Sequence, residues 1–241
     1  MNLRVIAELE PTRNREKLLK RVKLLAPHVD AIDIPEVPMG RPIASAPVVA
    51  AHLSALYPGT SFIPHIRVID VNRVGMLSIL GGLAAAGVGE AVLLRGDRPV
   101  EGRVVEDLTV EEAARLAVER LRRRPSLGAM LSIRYPLPEI ERRLEAPFSF
   151  YLVLRAFTSL EKLREVSRAA HRLGKKLYAY LIVGGSNYEQ LRRMLGDQPV
   201  YRPQEAVEAA AALEGVVDGV LVSSPGSLET VVETVQKLYR R

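Results

Sequence analysis

The chain has 241 residues and contains neither Cys nor Trp. Without thiols it forms no disulfide, no Cys-ligated zinc or iron–sulfur site and no Cys nucleophile. Aromatic residues are also scarce, at 5% against 48% hydrophobic residues. The core therefore rests on Ala, Val, Leu and Ile, a palette suited to buried parallel strands under Ala- and Leu-rich helices. A chain of this length buries about 70% of its unfolded surface and needs no covalent staple. Long apolar runs are missing too. The weakly polar stretch Met76–Gly89 is too short and too rich in Gly and Ala to span a bilayer. The N-terminus enters an alternating strand directly, without a charged start, an apolar stretch and a cleavage site. These absences predict a soluble, cytoplasmic protein with no membrane partner.

What is present is charge with a basic bias, net +6. Lys fills only seven of the 34 basic positions and Arg fills the rest. Arg stays charged and grips carboxylates and phosphates in a bidentate fork. The excess fits an anionic small molecule drawn into a cleft or the Arg-rich surface ion pairs of a thermophile. A nucleic-acid partner would call for a basic stripe interleaved with aromatics. Here the Arg residues are scattered beside Glu, so no nucleic-acid partner is expected.

Short β-rich apolar runs alternate with amphipathic helical runs along the whole length. The expected strands are Leu3–Glu10, Asp30–Pro35, Ser61–Ile69, Glu90–Arg95, Gly128–Arg134, Ser149–Ala156, Lys176–Val183 and Val217–Ser223. The intervening helices are Asn14–Ala26, Ala44–Tyr57, Arg73–Ala86, Val110–Arg124, Pro138–Glu145 and Leu160–Leu173, then Tyr188–Leu195 with Gln204–Leu213, and finally Leu228–Tyr239. Eight strand–helix units in about 240 residues predict a single-domain (β/α)8 TIM barrel spanning 1–241. An open doubly wound sheet is the second possibility, but no Gly-x-Gly-x-x-Gly follows any strand.

Such barrels place their chemistry at the C-terminal ends of the strands. Polar residues there are Glu8 and Glu10, Asp33 and Glu36, His65, Arg67, Asp70 and Asn72, Arg95-Gly96-Asp97, Arg134-Tyr135, Arg155, Tyr178 and Tyr180, and Ser223-Ser224. The densest set lies in the first four strands. Glu8 shares a strand face with Arg4 and Ile6. In a half-buried mouth it serves as a general acid with a raised pKa, or as one arm of a salt bridge to a barrel Arg. His65 is a mouth residue or an ion-paired core residue. Asp97 follows a Gly that lets backbone approach a ligand, and it can accept two hydrogen bonds from a pterin- or purine-like edge; Gly-Asp-Arg-Pro is also ordinary turn chemistry. The run Ser223–Ser227 either holds a phosphate ahead of the last helix or simply caps it. With one His of four near the mouth, no metal site is expected.

Four segments together resemble the methylenetetrahydrofolate reductase family, flavin-dependent (β/α)8 barrels of one-carbon metabolism and methionine biosynthesis. They are Ala7-Glu8-Leu9-Glu10-Pro11, Asp30-Ala31-Ile32-Asp33-Ile34-Pro35, His65-Ile66-Arg67-Val68-Ile69-Asp70-Val71-Asn72 and Leu93-Leu94-Arg95-Gly96-Asp97-Arg98-Pro99. The resemblance implies an oxidoreductase that passes hydride from NADH or NADPH through FAD to a methylene-tetrahydropterin, giving the 5-methyl product. It casts Glu8 as the acid for ring opening and Asp97 as the carboxylate on the pterin edge, with Asp33 on the substrate side. His65, Arg95, Gly96 and Tyr135 fall at flavin-contacting positions. Arg67, Arg95, Arg134, Arg142 and Arg143 would face an anionic cofactor or folate tail, and Asp70 is a further residue on the cofactor side. The second half departs from the pattern. The stretch Leu137–Pro147 is short and lacks His and Lys, and Val153-Leu154 stands where the family has Thr-Gln. The other expectation is therefore a tetrahydropterin-binding barrel without redox activity, as a methyl-transfer or accessory subunit. A homo-oligomer or a partner subunit is compatible with either.

Overall fold

The computed structural model describes residues 3–239. In chain order the elements are β1 (Arg4–Glu8), α1 (Arg15–Leu25), β2 (Ala31–Ile34), α2 (Ala46–Leu56), β3 (Ser61–Arg67), α3 (Arg73–Ala85), β4 (Glu90–Leu94), α4 (Val110–Arg120) and β5 (Ser126–Ser132). They continue with α5 (Leu137–Leu144), β6 (Phe150–Leu154), α6 (Leu160–Arg172), β7 (Lys176–Val183), α7 (Tyr188–Leu195), β8 (Val200–Tyr201), α8 (Pro203–Ala211), β9 (Gly219–Ser223) and α9 (Leu228–Tyr239). Every pairing is parallel. The sheet runs from β1 through β7, and β9 closes it by pairing with both β7 and β1. The result is the expected single (β/α)8 barrel of eight staves. The two-residue β8 only extends the end of β7 and is not a stave; a strand that short leaves no periodic signal in sequence.

Local chemistry sets the helix starts. The Asn14 side chain accepts the Lys17 N–H at 2.8 Å, and Thr109 with Glu112 forms a capping box at α4. α4 ends at Arg120, earlier than the expected Arg124. Pro125 disfavours helical geometry at the residue before it, and the chain has already turned extended at Leu121. β1 likewise stops at Glu8, ahead of Pro11.

Even-numbered residues of β1 and β4–β7, and odd-numbered ones of β2, β3 and β9, face the barrel axis, and the residues between them pack under the helices. The inward set includes Ile6, Val92, Phe150, Leu152, Tyr178 and Leu221. Gly128 makes room for one of them, because a Cβ there would run into the Phe150 ring. The barrel floor holds a charge pair. The Arg4 guanidinium donates to both Glu90 carboxylate oxygens, at 2.8 and 2.5 Å, and to the Tyr178 hydroxyl at 3.2 Å. The Ser61 hydroxyl adds a 3.3 Å hydrogen bond to Glu90. Tyr178 thus belongs to the floor, not to the mouth where the sequence placed it.

Candidate functional site

The C-terminal end of β1 brings Glu8 to the mouth, beside its register partner Asp33 on β2. Ser223 at the end of β9 donates to Glu8 Oε1 at 2.6 Å, and the Tyr180 hydroxyl on β7 donates to Oε2 at 3.3 Å. Arg4 is taken by Glu90, so the salt bridge weighed for Glu8 is not formed with that barrel Arg. Burial pushes the Glu8 carboxyl up to about 7, and the Asp33 charge adds to the rise; Ser223, His65 and Tyr180 pull the other way. A carboxyl that titrates at neutral pH can both give and take a proton.

Asp33 and His65 form a buried pair behind Glu8. His65 Nε2 lies 2.8 Å from Asp33 Oδ1, with the two residues 4% and 0% exposed. Burial alone would lower the His65 pKa, but the Asp33 charge and hydrogen bond, with Glu8 and Glu36 beyond, raise it overall. Burial also raises Glu36, whose carboxylate accepts the Ala46 N–H at the start of α2. The Tyr180 hydroxyl is held well above its usual range by burial and by the neighbouring acids.

Three polar side-chain atoms at this end of the barrel are buried without a protein partner: Asp33 Oδ2, Ser224 Oγ and Gln198 Nε2. Each such group costs roughly 1–3 kcal/mol when left unsatisfied, so native folds tolerate few of them. Here an acceptor, a hydroxyl and an amide donor all lie at the end where barrel proteins bind ligands. Sequence inspection missed Gln198. It lies in the excursion between β7 and α8, and its own carbonyl accepts the Arg155 N–H at 2.7 Å. Arg155 adopts a left-handed conformation (φ 58°) at the end of β6, a strained geometry for a non-Gly residue. On that side α7 folds over the barrel end, with Leu191 buried against the same inner cluster as Leu152, Tyr180 and Ile182.

The remaining expected residues divide into three groups. Arg67 and Asp70 are spent on each other and on the loops. Arg67, 1% exposed, pairs with Asp70 at 2.8 Å and donates to the carbonyls of Val37 (2.8 Å) and Asp97 (2.6 Å). Its guanidinium is thereby engaged within the protein. Gly96 (φ 84°) is required here, since a Cβ would sit 2.6 Å from Arg67 Nε. Arg143 is also spent, on Glu111 and on the Met130 carbonyl. Asp97 is exposed on the rim, and its carboxylate accepts the Met39 N–H at 3.0 Å. That bond braces a strained turn in which Val37 and Met39 both have positive φ. Arg95, Arg142 and Tyr135 are exposed, and the Tyr135 carbonyl accepts from Lys162 at 2.6 Å. Arg134 and Arg155 share the Asp197 carboxylate.

Of the donors expected on the cofactor, His65 is held by Asp33, Arg67 by Asp70 and Arg143 by Glu111, while Arg95 and Arg142 stand exposed. Among the described residues, no group of three or more His, Asp or Glu is placed to hold a metal ion, and no helix is long and apolar enough to cross a membrane.

No family model matches the chain, and no curated protein matches it. Solved structures do. A protein from Clostridium thermocellum, described as binding two copies of 5-methyl-5,6,7,8-tetrahydrofolic acid, superimposes with a TM-score of 0.70 at 10% identity, covering 99% of this chain and 95% of its own. Tryptophan synthase from M. tuberculosis gives 0.62 at 13% identity over 99% and 89%. The 3-keto-L-gulonate-6-phosphate decarboxylase of Vibrio cholerae gives 0.59 at 12% identity over 100% and 99%. At such identities these likenesses establish the barrel fold, and the first adds that one barrel of this shape binds a reduced folate.

Proposed function

We propose that the mouth of this barrel binds a tetrahydropterin, and that the chain acts as a tetrahydropterin-binding or methyl-transfer barrel without a flavin of its own. The observation that carries the proposal is the buried cluster Glu8, Asp33 and His65, with Asp33 Oδ2, Ser224 Oγ and Gln198 Nε2 left without protein partners. A reduced pterin offers the matching groups. Its amino-pyrimidine edge donates to carboxylates, its carbonyl accepts from amide or hydroxyl donors, and its ring nitrogens take up a proton when a one-carbon group is moved. Glu8, titrating near 7, holds the proton for that nitrogen, and the Asp33–His65 pair sets the charge around it. The four-segment resemblance and the folate-binding neighbour support the same ligand class.

A second reading is the flavin-dependent reductase. The acid at Glu8 would serve it equally well, while the commitments of Arg67 and Arg143 count against a flavin grip. The test is calorimetric titration of the purified protein with 5-methyltetrahydrofolate, alongside its visible spectrum with added FAD. Saturable binding by a colourless protein, weakened at least tenfold by Asp33→Asn, is the expected result. No binding by the wild type would end the tetrahydropterin proposal. A tightly held flavin that bleaches with NADH or NADPH would establish the reductase instead.

A further inference from the structure

At the opposite end of the barrel, the turns that enter β4, β5 and β6 frame a groove of about 540 Å³. Its lining includes three consecutive Arg residues, Arg122, Arg123 and Arg124, with the hydroxyl-bearing Ser126 and Ser149. No carboxylate and no aromatic ring is among the lining residues.

The three Arg residues are not equally used by the fold. Arg124 donates to the Leu121 carbonyl at 3.1 Å and so closes the end of α4. Arg122 and Arg123 are exposed, and among the described residues neither side chain has an ion pair or hydrogen bond. Nor does the neighbouring helix end need them. The last turn of α3 is closed by its own backbone, with Ala86, Gly87 and Val88 donating to Gly82, Ala84 and Leu83. Two forked cations thus stand at a concave wall that no carboxylate lines, with no ion-pair partner among the described residues. Elsewhere, several Arg residues of this protein sit on an acid: Arg4 on Glu90, Arg73 on Asp107, Arg134 and Arg155 on Asp197.

We propose that this groove is a binding site for a small polyphosphate chain, separate from the mouth. Adjacent guanidinium forks match successive phosphoryl groups bidentately, which a single phosphate cannot exploit to the same degree. The volume falls in the range of small-ligand sites. The absence of aromatic rings removes the platform on which a base would stack, so the chain of phosphates is recognised and any attached nucleoside is not.

The test is calorimetric titration with tripolyphosphate, ATP, monophosphate and a short single-stranded RNA at one fixed ionic strength. The wild type is compared with the double variant Arg122→Ser/Arg123→Ser, whose sites are exposed and whose fold is checked by circular dichroism. The proposal expects one-to-one binding of tripolyphosphate, matched by ATP within about threefold, at least tenfold weaker with monophosphate and at least tenfold weaker in the variant. Three results overturn it. They are unchanged tripolyphosphate binding in the variant, equal binding of monophosphate and tripolyphosphate, or RNA binding tighter than either chain anion and lost in the variant. If the double Ser variant misfolds, Arg122→Lys/Arg123→Lys keeps the charge and removes the forks. Tripolyphosphate affinity should still fall severalfold there, and unchanged affinity counts against the proposal.

Discussion

The two ends of the barrel interior use the same residue types to opposite effect. At the floor, Arg4, Glu90, Tyr178 and Ser61 satisfy one another across the axis. At the mouth, Glu8, Asp33 and His65 sit as close together, yet one carboxyl is pushed up to about 7 and three nearby polar atoms have no partner. Glu8 and Arg4 lie on the same strand face, four residues apart. What separates them is what closes over each end: a complementary charge at the floor, and loops that bring further acid at the mouth. The floor satisfies its own polar groups, whereas the mouth keeps buried polar atoms without a protein partner among the described residues.

The comparison breaks most visibly at the floor. Arg4→Met leaves Glu90 in the barrel without its cation and should cost about 3–5 kcal/mol, read as a fall in the denaturant midpoint. Arg4→Met/Glu90→Met removes both charges and should recover most of that loss. A double variant as unstable as the single one would mean that the floor pair contributes more than the relief of its own burial.

At the mouth the sign reverses. The Glu8 carboxyl is raised from 4.5 to about 7 in the folded protein. It therefore favours folding relative to its ionised state below pH 4.5, and that contribution is lost as pH rises through 7. At about 1.4 kcal/mol per pH unit, Glu8→Gln should stabilise the protein by roughly 3 kcal/mol above pH 7 and by little near pH 4. The same variant should abolish the pH dependence of tetrahydropterin binding around neutrality. A flat difference in stability between Glu8→Gln and wild type from pH 4 to pH 8 would show that the mouth does not hold Glu8 in the way described.

The barrel was legible in the sequence because its signal is periodic. Apolar strand runs and amphipathic helical runs recur in every unit, and caps such as Asn14 and Thr109 mark some of the helix starts. The location of the polar mouth was also legible, because strand ends are fixed by register once the barrel is assumed. The pairing of charges was not. Arg4 and Glu90 are 86 residues apart, and only closure of the barrel decides that Arg4 meets Glu90 and that Glu8 meets Ser223, 215 residues away. The same holds for Arg67 and Arg143, whose charge suggested anion binding and whose geometry spends them on loops and helices. Gln198 gave no signal, since it stands in an irregular segment whose path over the barrel end no periodicity encodes.

Arg67 offers a smaller test, since it ties the mouth to its rim. Arg67→Lys keeps the charge but cannot reach the Val37 carbonyl, the Asp97 carbonyl and Asp70 together. Loss of hydrogen bonds from a buried charged group should cost about 2–3 kcal/mol. Ligand affinity at the mouth should fall with it, because the loops that carry Met39 and Asp97 lose their common anchor. Intact affinity with reduced stability would separate the rim from the site.

Asp97 gives the smallest effect on stability and the cleanest division between bracing and binding. Its carboxylate is exposed and makes one backbone hydrogen bond, to Met39. Asp97→Asn keeps an acceptor for that N–H, so the melting temperature should move by no more than roughly two degrees. The substitution also swaps an acceptor oxygen for a donating amide. A pterin edge that presents two N–H groups to this side chain would then meet one donor head-on, and affinity for 5-methyltetrahydrofolate should drop by about tenfold or more. If instead Asp97→Asn leaves affinity unchanged while Asp33→Asn abolishes it, the pterin edge is read by the buried carboxylate alone, and Asp97 is a brace for the strained Val37–Gly40 turn.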